Sequence, residues 1–385
     1  MQRPADLLIV GGGLAGGLLA LALARRRPDV RVRLLEAGPV FGGNHLWSFF
    51  DGDVAAADRW IVDPLVCHRW PTHEVCFPGL RRTLSQGYQS IESERLDAVL
   101  RATLPPDRLM AGRPVAAVDA GSATLSDGER VEARAVVDAR GMCPAYQALE
   151  LGWQKFAGQL LRLAAPHGLD RPTIMDATVD QADGYRFIYL LPFGPRHMFV
   201  EDTYYVADPA VDRARLAERI RAYAVQRGWV IEEIEREEAA ALPIALGGRF
   251  ASLWPGNDGI ARIGMAAGLF QPMTGYSLPD AVRTAALVAG LPDLSAECLS
   301  ATLRSHAERT WQARGFYRLL ARLLFQAADP PDRWRVLRRF YQLSPALIAR
   351  FYAGNSTHLD KLRLLAGKPP VPLGRALEAL KDHMT

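Results

Sequence analysis

The chain has 385 residues, 49% hydrophobic and 23% charged, a globular composition long enough for more than one core, which excludes a disordered, fibrous or small disulfide-stapled protein. Its four cysteines, Cys67, Cys76, Cys143 and Cys298, make neither a CxxC pair nor a cluster with histidine, so reduced thiols and no metal site are expected. The net charge of +4 is unevenly held: residues 301–385 carry fifteen Lys/Arg against six Asp/Glu, a basic end suited to an acidic surface.

The apolar run Leu7 to Ala24 is interrupted by five glycines and preceded by Asp6. Neither a signal peptide nor a spanning helix is predicted, and a cytoplasmic protein is expected. Asp6–Val10 reads as a strand, Gly11–Gly17 as a glycine-rich turn, Leu18–Arg27 as a helix stopped at Pro28, and Val30–Glu36 as a second strand. That is a strand–turn–helix–strand unit of the dinucleotide type. Arg95–Leu104 reads as a helix, and Val115–Val118, Ala123–Leu125 and Val131–Asp138 as short strands. From Lys155 to Tyr205 the pattern is strand-like, with Tyr185–Leu191 and His197–Tyr205 alternating around a Pro192–Pro195 turn. Arg213–Arg227 reads as a helix leading away from that sheet, Ile260–Met265 as a strand, the stretch from Pro279 as a helix, and the chain beyond 300 as mostly helical. With no repeat or low-complexity linker, interleaved domains are expected: 1–150 and 251–300 in the nucleotide domain, 151–250 as a sheet facing substrate, 301–385 as a helical basic region.

Gly11, Gly13 and Gly16 form GxGxxG between a strand and a helix, with Gly12, Leu14 and Ala15 completing a turn whose backbone can approach a pyrophosphate. Glu36 ends the second strand twenty-five residues after Gly11, where an acid can accept from ribose hydroxyls. Two later segments favour FAD over a nicotinamide as the resident nucleotide. Val136 to Gly141, with Asp138 and Gly141, is like the second flavin fingerprint of the glutathione-reductase and hydroxylase folds. Ile263 to Gly268, with Gly264 and Gly268, is followed by Gly275, Tyr276 and Ser277 and resembles the segment that closes over the flavin ring. Gly43 and Val115 complete the expected contact set. The fold class expected is thus α/β, a Rossmann-like FAD-binding domain with an interleaved β-sheet substrate domain and a helical C-terminal region.

Five segments that generic flavoproteins lack carry a more specific resemblance: Gly42 to Ser48 (GGNHLWS), Met175 to Asp180 (MDATVD), Gly184 to Phe187 (GYRF), Phe199 to Thr203 (FVEDT) and Thr274 to Pro279 (TGYSLP). Together with Arg350 to Gly354 and Gly367 to Pro370, the chain resembles the bacterial lycopene beta-cyclases over nearly its whole length. The resemblance implies an isomerase that closes the linear ends of lycopene into beta-ionone rings, gamma-carotene first and then beta-carotene. It also implies reduced FAD, NADPH or NADH as the source of electrons, and no net redox change.

Such chemistry must protonate an unactivated alkene, hold a tertiary carbocation and then remove a ring proton. Glu201 is the expected acid, because apolar and aromatic neighbours on its strand should keep it protonated. Asp202, standing where plant relatives have a second glutamate, is the other catalytic candidate; strand neighbours face opposite ways, so the two should not share a task and only one of them should face the flavin. Asp176, Asp180 and Arg186 are read as structural ion pairs or as a proton relay. Trp47, Tyr185, Phe187, Tyr189 and Tyr276 offer ring faces, while His45, His68 and His73 have no metal-ligand spacing. Phe316–Phe325, with Arg318 and Arg322 one turn apart, and the stretch from Trp334 to Phe340 read as basic amphipathic helices for a peripheral membrane contact, or as helices packed on the protein. A flavin monooxygenase acting on a lipid and a non-catalytic prenyl-lipid carrier are the other readings of the same segments.

Overall fold

A computed structural model describes residues 5–142, 144–181, 184–254, 258–367 and 373–381; Cys143 and the Lys368-Pro369-Pro370 end of the last resembling segment lie outside the described residues. The opening strand Ala5–Val10 pairs in parallel with Val32–Leu35 on one side and Arg130–Asp138 on the other. The helix Leu14–Arg26 crosses between the first two, burying Leu18, Leu19 and Leu23 in the main core. This sheet is extended by Leu109–Met110, by the antiparallel strands Ser122–Leu125 and Val115–Val118, and by Ala261–Arg262 beside Asp138. The strand expected over Ile260–Met265 is shorter than its apolar pattern implies. Gly264 takes φ +57° and turns the chain into the short 3-10 helix Gly264–Ala267, closed by Gly268 at φ +69°, backbone that glycine adopts without strain.

A second sheet runs in the order Ile231–Gly247, Glu150–Leu163, His197–Val206, Tyr185–Gly194, Thr173–Asp176, His73–Phe77 and Leu80–Leu84. Its last two strands come from within the first 150 residues, so the chain passes between sheets before the boundary drawn from sequence. Ile231–Gly247 was not foreseen as a strand. Its Glu- and Ala-rich sequence favours helix locally, but pairing along the length of Glu150–Leu163 overrides that preference. A three-stranded sheet, Leu46–Phe50, Tyr88–Glu92 and His68–Trp70, bridges the two large ones in sequence.

The two faces of the second sheet are packed differently. One face sets Ile188, Leu190, Met198 and Val200 against Ile220 and Tyr223 of the helix Arg213–Gln226. That helix therefore covers the sheet, correcting the expectation that it leads away. The other face sets Phe187, Leu191, Phe199 and Tyr205 against Tyr317, Leu324, Phe340 and Phe351 of the C-terminal helices. A buried pair ties those helices to the nucleotide side: Arg314 donates to both carboxylate oxygens of Asp280, at 2.6 and 2.8 Å, and to the Phe270 carbonyl at 2.9 Å.

Candidate active site

The first strand ends at a glycine with no substitute. Gly11 has φ +106°, and a Cβ there would lie 2.6 Å from the Ala139 carbonyl oxygen; one on Gly16 would lie 1.9 Å from the Gly11 carbonyl oxygen. Strand and helix therefore approach at backbone contact, leaving the helix's first-turn N–H groups facing a cavity of about 570 Å³. Gly11, Gly13, Leu14, Ala15, Glu36 and Gly43 line one end of it, and Val115, Gly141, Gly264, Gly275, Tyr276 and Ser277 line the rest. Four expected residues sit just behind the wall. Gly12 donates its N–H to Glu36 Oε2 at 2.8 Å, Gly16 packs helix on strand, Gly268 closes the turn, and Asp138 holds Arg140 at 2.8–2.9 Å, which places the Arg140 guanidinium at the cavity. Arg113, His45, Trp47 and Phe156 also line it; no sequence signal singled out Arg113.

Glu36 is braced at both oxygens, accepting the N–H of Gly12 and of Gly38 at 2.8 Å each. A carboxylate at the strand end, an open helix N-terminus, a side-chain-free cradle at Gly11 and an aromatic far end with Trp47, Phe156 and Tyr276 fit a dinucleotide carrying a flat ring system.

A second cavity, about 240 Å³ and mainly apolar, lies among the C-terminal helices. The segment from Met273 to Tyr276 divides the two: Met273 and Thr274 line the apolar cavity, Gly275 and Tyr276 the nucleotide cavity. Gly275 has φ +68°, and a Cβ on it would lie 2.7 Å from Leu242 Cβ, so this segment packs directly on the strand Ile231–Gly247. Met175, Tyr205, Leu324 and Phe340 also line the apolar cavity.

Glu201 stands on the sheet face that looks toward these cavities. It is in register with Tyr189 on one side and Gly158 on the other, one row from Phe156 and Ala240 of the nucleotide cavity wall. The Thr203 hydroxyl donates to Glu201 Oε1 at 2.7 Å. Loss of water is the main cause that pushes its carboxyl up to about 8, with the Glu238 carboxylate adding to it; at neutral pH it holds its proton. Asp202, also expected at the reaction, faces the opposite way. It is fully buried against the Arg186 guanidinium, which donates to both its oxygens at 2.7–3.1 Å, because alternate strand residues point to opposite sheet faces.

The other candidates are placed as follows. Asp176 accepts from Tyr223 at 2.7 Å and Arg227 at 2.9 Å, tying its strand to the covering helix. The Asp180 carbonyl accepts from Arg186. His73 is buried with Nδ1 2.9 Å from the Gln86 carbonyl, and burial pulls it down to about 4. His68 pairs with Glu92 at 2.7 Å and stacks on Phe193 at 3.8 Å. Among the described residues, no group of His, Cys, Asp and Glu is arranged to hold a metal ion. Missed from sequence was Glu238, 6% exposed, whose Oε2 accepts the Leu46 N–H at 2.8 Å; its strand was not recognised, so its face could not be assigned.

The helix Gly315–Arg322 is not a free amphipathic surface. Arg322 is buried, donating to the Leu246 carbonyl at 2.9 Å, and Arg318 lies 4.2 Å over Trp311 while donating to its carbonyl at 2.6 Å. Among the described C-terminal helices, the exposed large apolar side chains are instead Leu359, Leu362 and Leu365 of the helix His358–Leu365, at 78%, 66% and 51%, and Leu377 at 58%. No helix among the described residues is long and apolar enough to cross a membrane.

Comparison with known proteins agrees with this geometry. The family model described as lycopene cyclase protein matches residues 6–378. The chain is 46% identical to the lycopene beta-cyclase of Pantoea ananas over 99% of both chains. It is also 46% identical to that of Pseudescherichia vulneris, over 98% of this chain and 97% of the other. In fold it is similar to a geranylgeranyl bacteriochlorophyll reductase-like protein from Thermoplasma acidophilum, with TM-score 0.63 and 15% identity over 99% of both chains. The chain belongs to the lycopene cyclase family.

Proposed function

We propose that this enzyme is a lycopene beta-cyclase that closes each end of lycopene in turn, with Glu201 as the proton donor and FAD as the resident nucleotide. The observation that carries the site assignment is the position of Glu201: a carboxyl kept protonated by burial, on the sheet face shared with the nucleotide cavity wall. Glu201 would give its proton to the terminal alkene as the second double bond closes the ring. The ring cation would then sit among Tyr189, Phe187, Phe199 and Tyr205, whose faces contribute on the order of 1–2 kcal/mol each where water is excluded. The apolar cavity behind Met273 and Thr274 suits the rest of a hydrocarbon chain.

Gly11, Gly13, Leu14 and Ala15 would hold the pyrophosphate, Glu36 the ribose, and Gly264, Gly275, Tyr276 and Ser277 the ring end. Bound in its reduced form, the flavin would supply an electron-rich ring system able to stabilise positive charge; NADPH or NADH is the proposed source of its electrons. A peripheral membrane contact is proposed at Leu359, Leu362 and Leu365, with Lys361 and Arg363 on the same helix, since exposed leucines beside cations suit an anionic bilayer and lycopene must arrive from lipid.

The test is anaerobic incubation of native protein and Glu201→Gln with FAD, NADPH and lycopene in liposomes, with products separated by chromatography. Beta-carotene from the native protein alone, with no net NADPH consumption, supports the reading. An oxygen-dependent, oxygenated product would replace it with a monooxygenase.

A further inference from the structure

The row that carries Glu201 continues across the sheet. Glu201 is in register with Gly158, and Gly158 with Glu238 on the next strand. The two carboxylates thus rise from one face two strands apart, about 9–10 Å between their backbones at ordinary strand spacing. Gly158 puts no side chain between them; a Cβ there would lie 2.3 Å from Cζ of Phe199, whose ring covers the glycine.

Two buried carboxylates so placed do not both ionise readily, and their surroundings decide which takes the charge. Burial pushes the Glu238 carboxyl up to about 7, while the Arg236 guanidinium and the Leu46 N–H that it accepts favour its anion and Glu94 opposes it, so of the two carboxyls Glu238 gives up its proton first. Glu201 has the Thr203 hydroxyl, with the phenols of Tyr88 and Tyr189 in its field. Behind its strand, Asp202 is closed in the ion pair with Arg186.

We propose that Glu238 is the charged partner of this pair, a positioning residue that holds the proton on Glu201 and balances the ring cation once that proton is given up. The inference rests on reading Glu201 as the acid. In the forward step the Glu201 O–H bond breaks as a C–H bond forms at the polyene end. In the last step a ring C–H pair becomes the ring double bond and its proton returns to the Glu201 carboxylate. Glu238 stays an anion throughout, so no oxidant, reductant or net proton is required.

The experiment is the pH profile of cyclisation by flavin-loaded native enzyme, E238Q and E238D. E238Q keeps an acceptor for Leu46 but loses the charge, so the alkaline limb is expected to move toward acid by about one unit, the size of a charge interaction at this separation with an effective dielectric near 20. kcat at neutral pH should fall while KM for lycopene holds, and E238D should restore the native limb. An unmoved limb, or an equal loss at every pH in both variants, overturns the proposal. If E238Q does not fold, R236Q, which removes a cation that favours ionisation of the pair, should instead move the limb toward alkali, and an unmoved limb there overturns it equally. E201Q is run alongside: activity in that variant removes the acid assignment itself, whatever Glu238 does.

Discussion

Glu201 and Asp202 are adjacent in sequence and face opposite sides of one strand: Asp202 is closed in a buried pair with Arg186, and Glu201 accepts a single hydroxyl from Thr203 on the side of the cavities. Their variants should therefore fail in different ways. Glu201→Gln is expected to keep the fold and the flavin but lose cyclisation by roughly 10²–10⁴-fold, the usual contribution of a general acid. Native activity should decline above about pH 8, where Glu201 loses its proton. Product formation measured from pH 6 to 9 checks both.

Asp202→Asn should act through stability. Removing one partner leaves the Arg186 guanidinium buried without its counter-charge, and a loss of about 3–5 kcal/mol is expected. Replacing both, Arg186→Met with Asp202→Leu, should recover most of it. Chemical denaturation of the three variants and the native chain reads this directly; equal stability of Asp202→Asn and native protein would contradict the pairing.

Gly16→Ala should remove the nucleotide. The added methyl would lie 1.9 Å from the Gly11 carbonyl oxygen, so helix and strand must part and the phosphate cradle opens. The purified variant is expected to carry little flavin by absorbance, whereas Gly141→Ala meets no atom within 4 Å and, despite its φ of +88°, should retain more.

Stability should fall as pH rises from about 4 to about 7. Burial pushes Asp53 up to about 7 from an ordinary value near 3.8, so the folded state keeps a proton that the unfolded chain has already released. The associated stability is fully present below about pH 4 and is lost as pH rises toward 7, by a few kcal/mol. Asp53→Asn should flatten that slope in urea titrations between pH 4 and 7, and an unchanged slope would mean that Asp53 is ionised in the fold.

Membrane contact should depend on the exposed leucines and not on the packed helix before them. Leu359→Ser with Leu362→Ser and Leu365→Ser is expected to weaken flotation with anionic vesicles at least tenfold. Native protein that does not float removes the membrane reading; native and variant protein floating alike moves the contact elsewhere.

The amino-acid sequence alone determined the dinucleotide unit, because its glycines, its helix stop at Pro28 and its acid at Glu36 are local requirements of backbone geometry. Glu201 was legible for the same reason: its apolar neighbours on one strand forecast its burial. What tertiary structure decided was which side chains share a face. Glu238 lies in a segment whose local preference is helical, and only pairing with Glu150–Leu163 makes it a strand and sets it in the row of Glu201. The arginines of Gly315–Arg322 look like a membrane face in sequence, yet the Leu246 carbonyl takes Arg322 inward and the ring and carbonyl of Trp311 on the preceding helix hold Arg318. Hydrophobic periodicity says that a face exists; whether protein or solvent meets it depends on contacts between segments far apart in the chain, which no local pattern encodes.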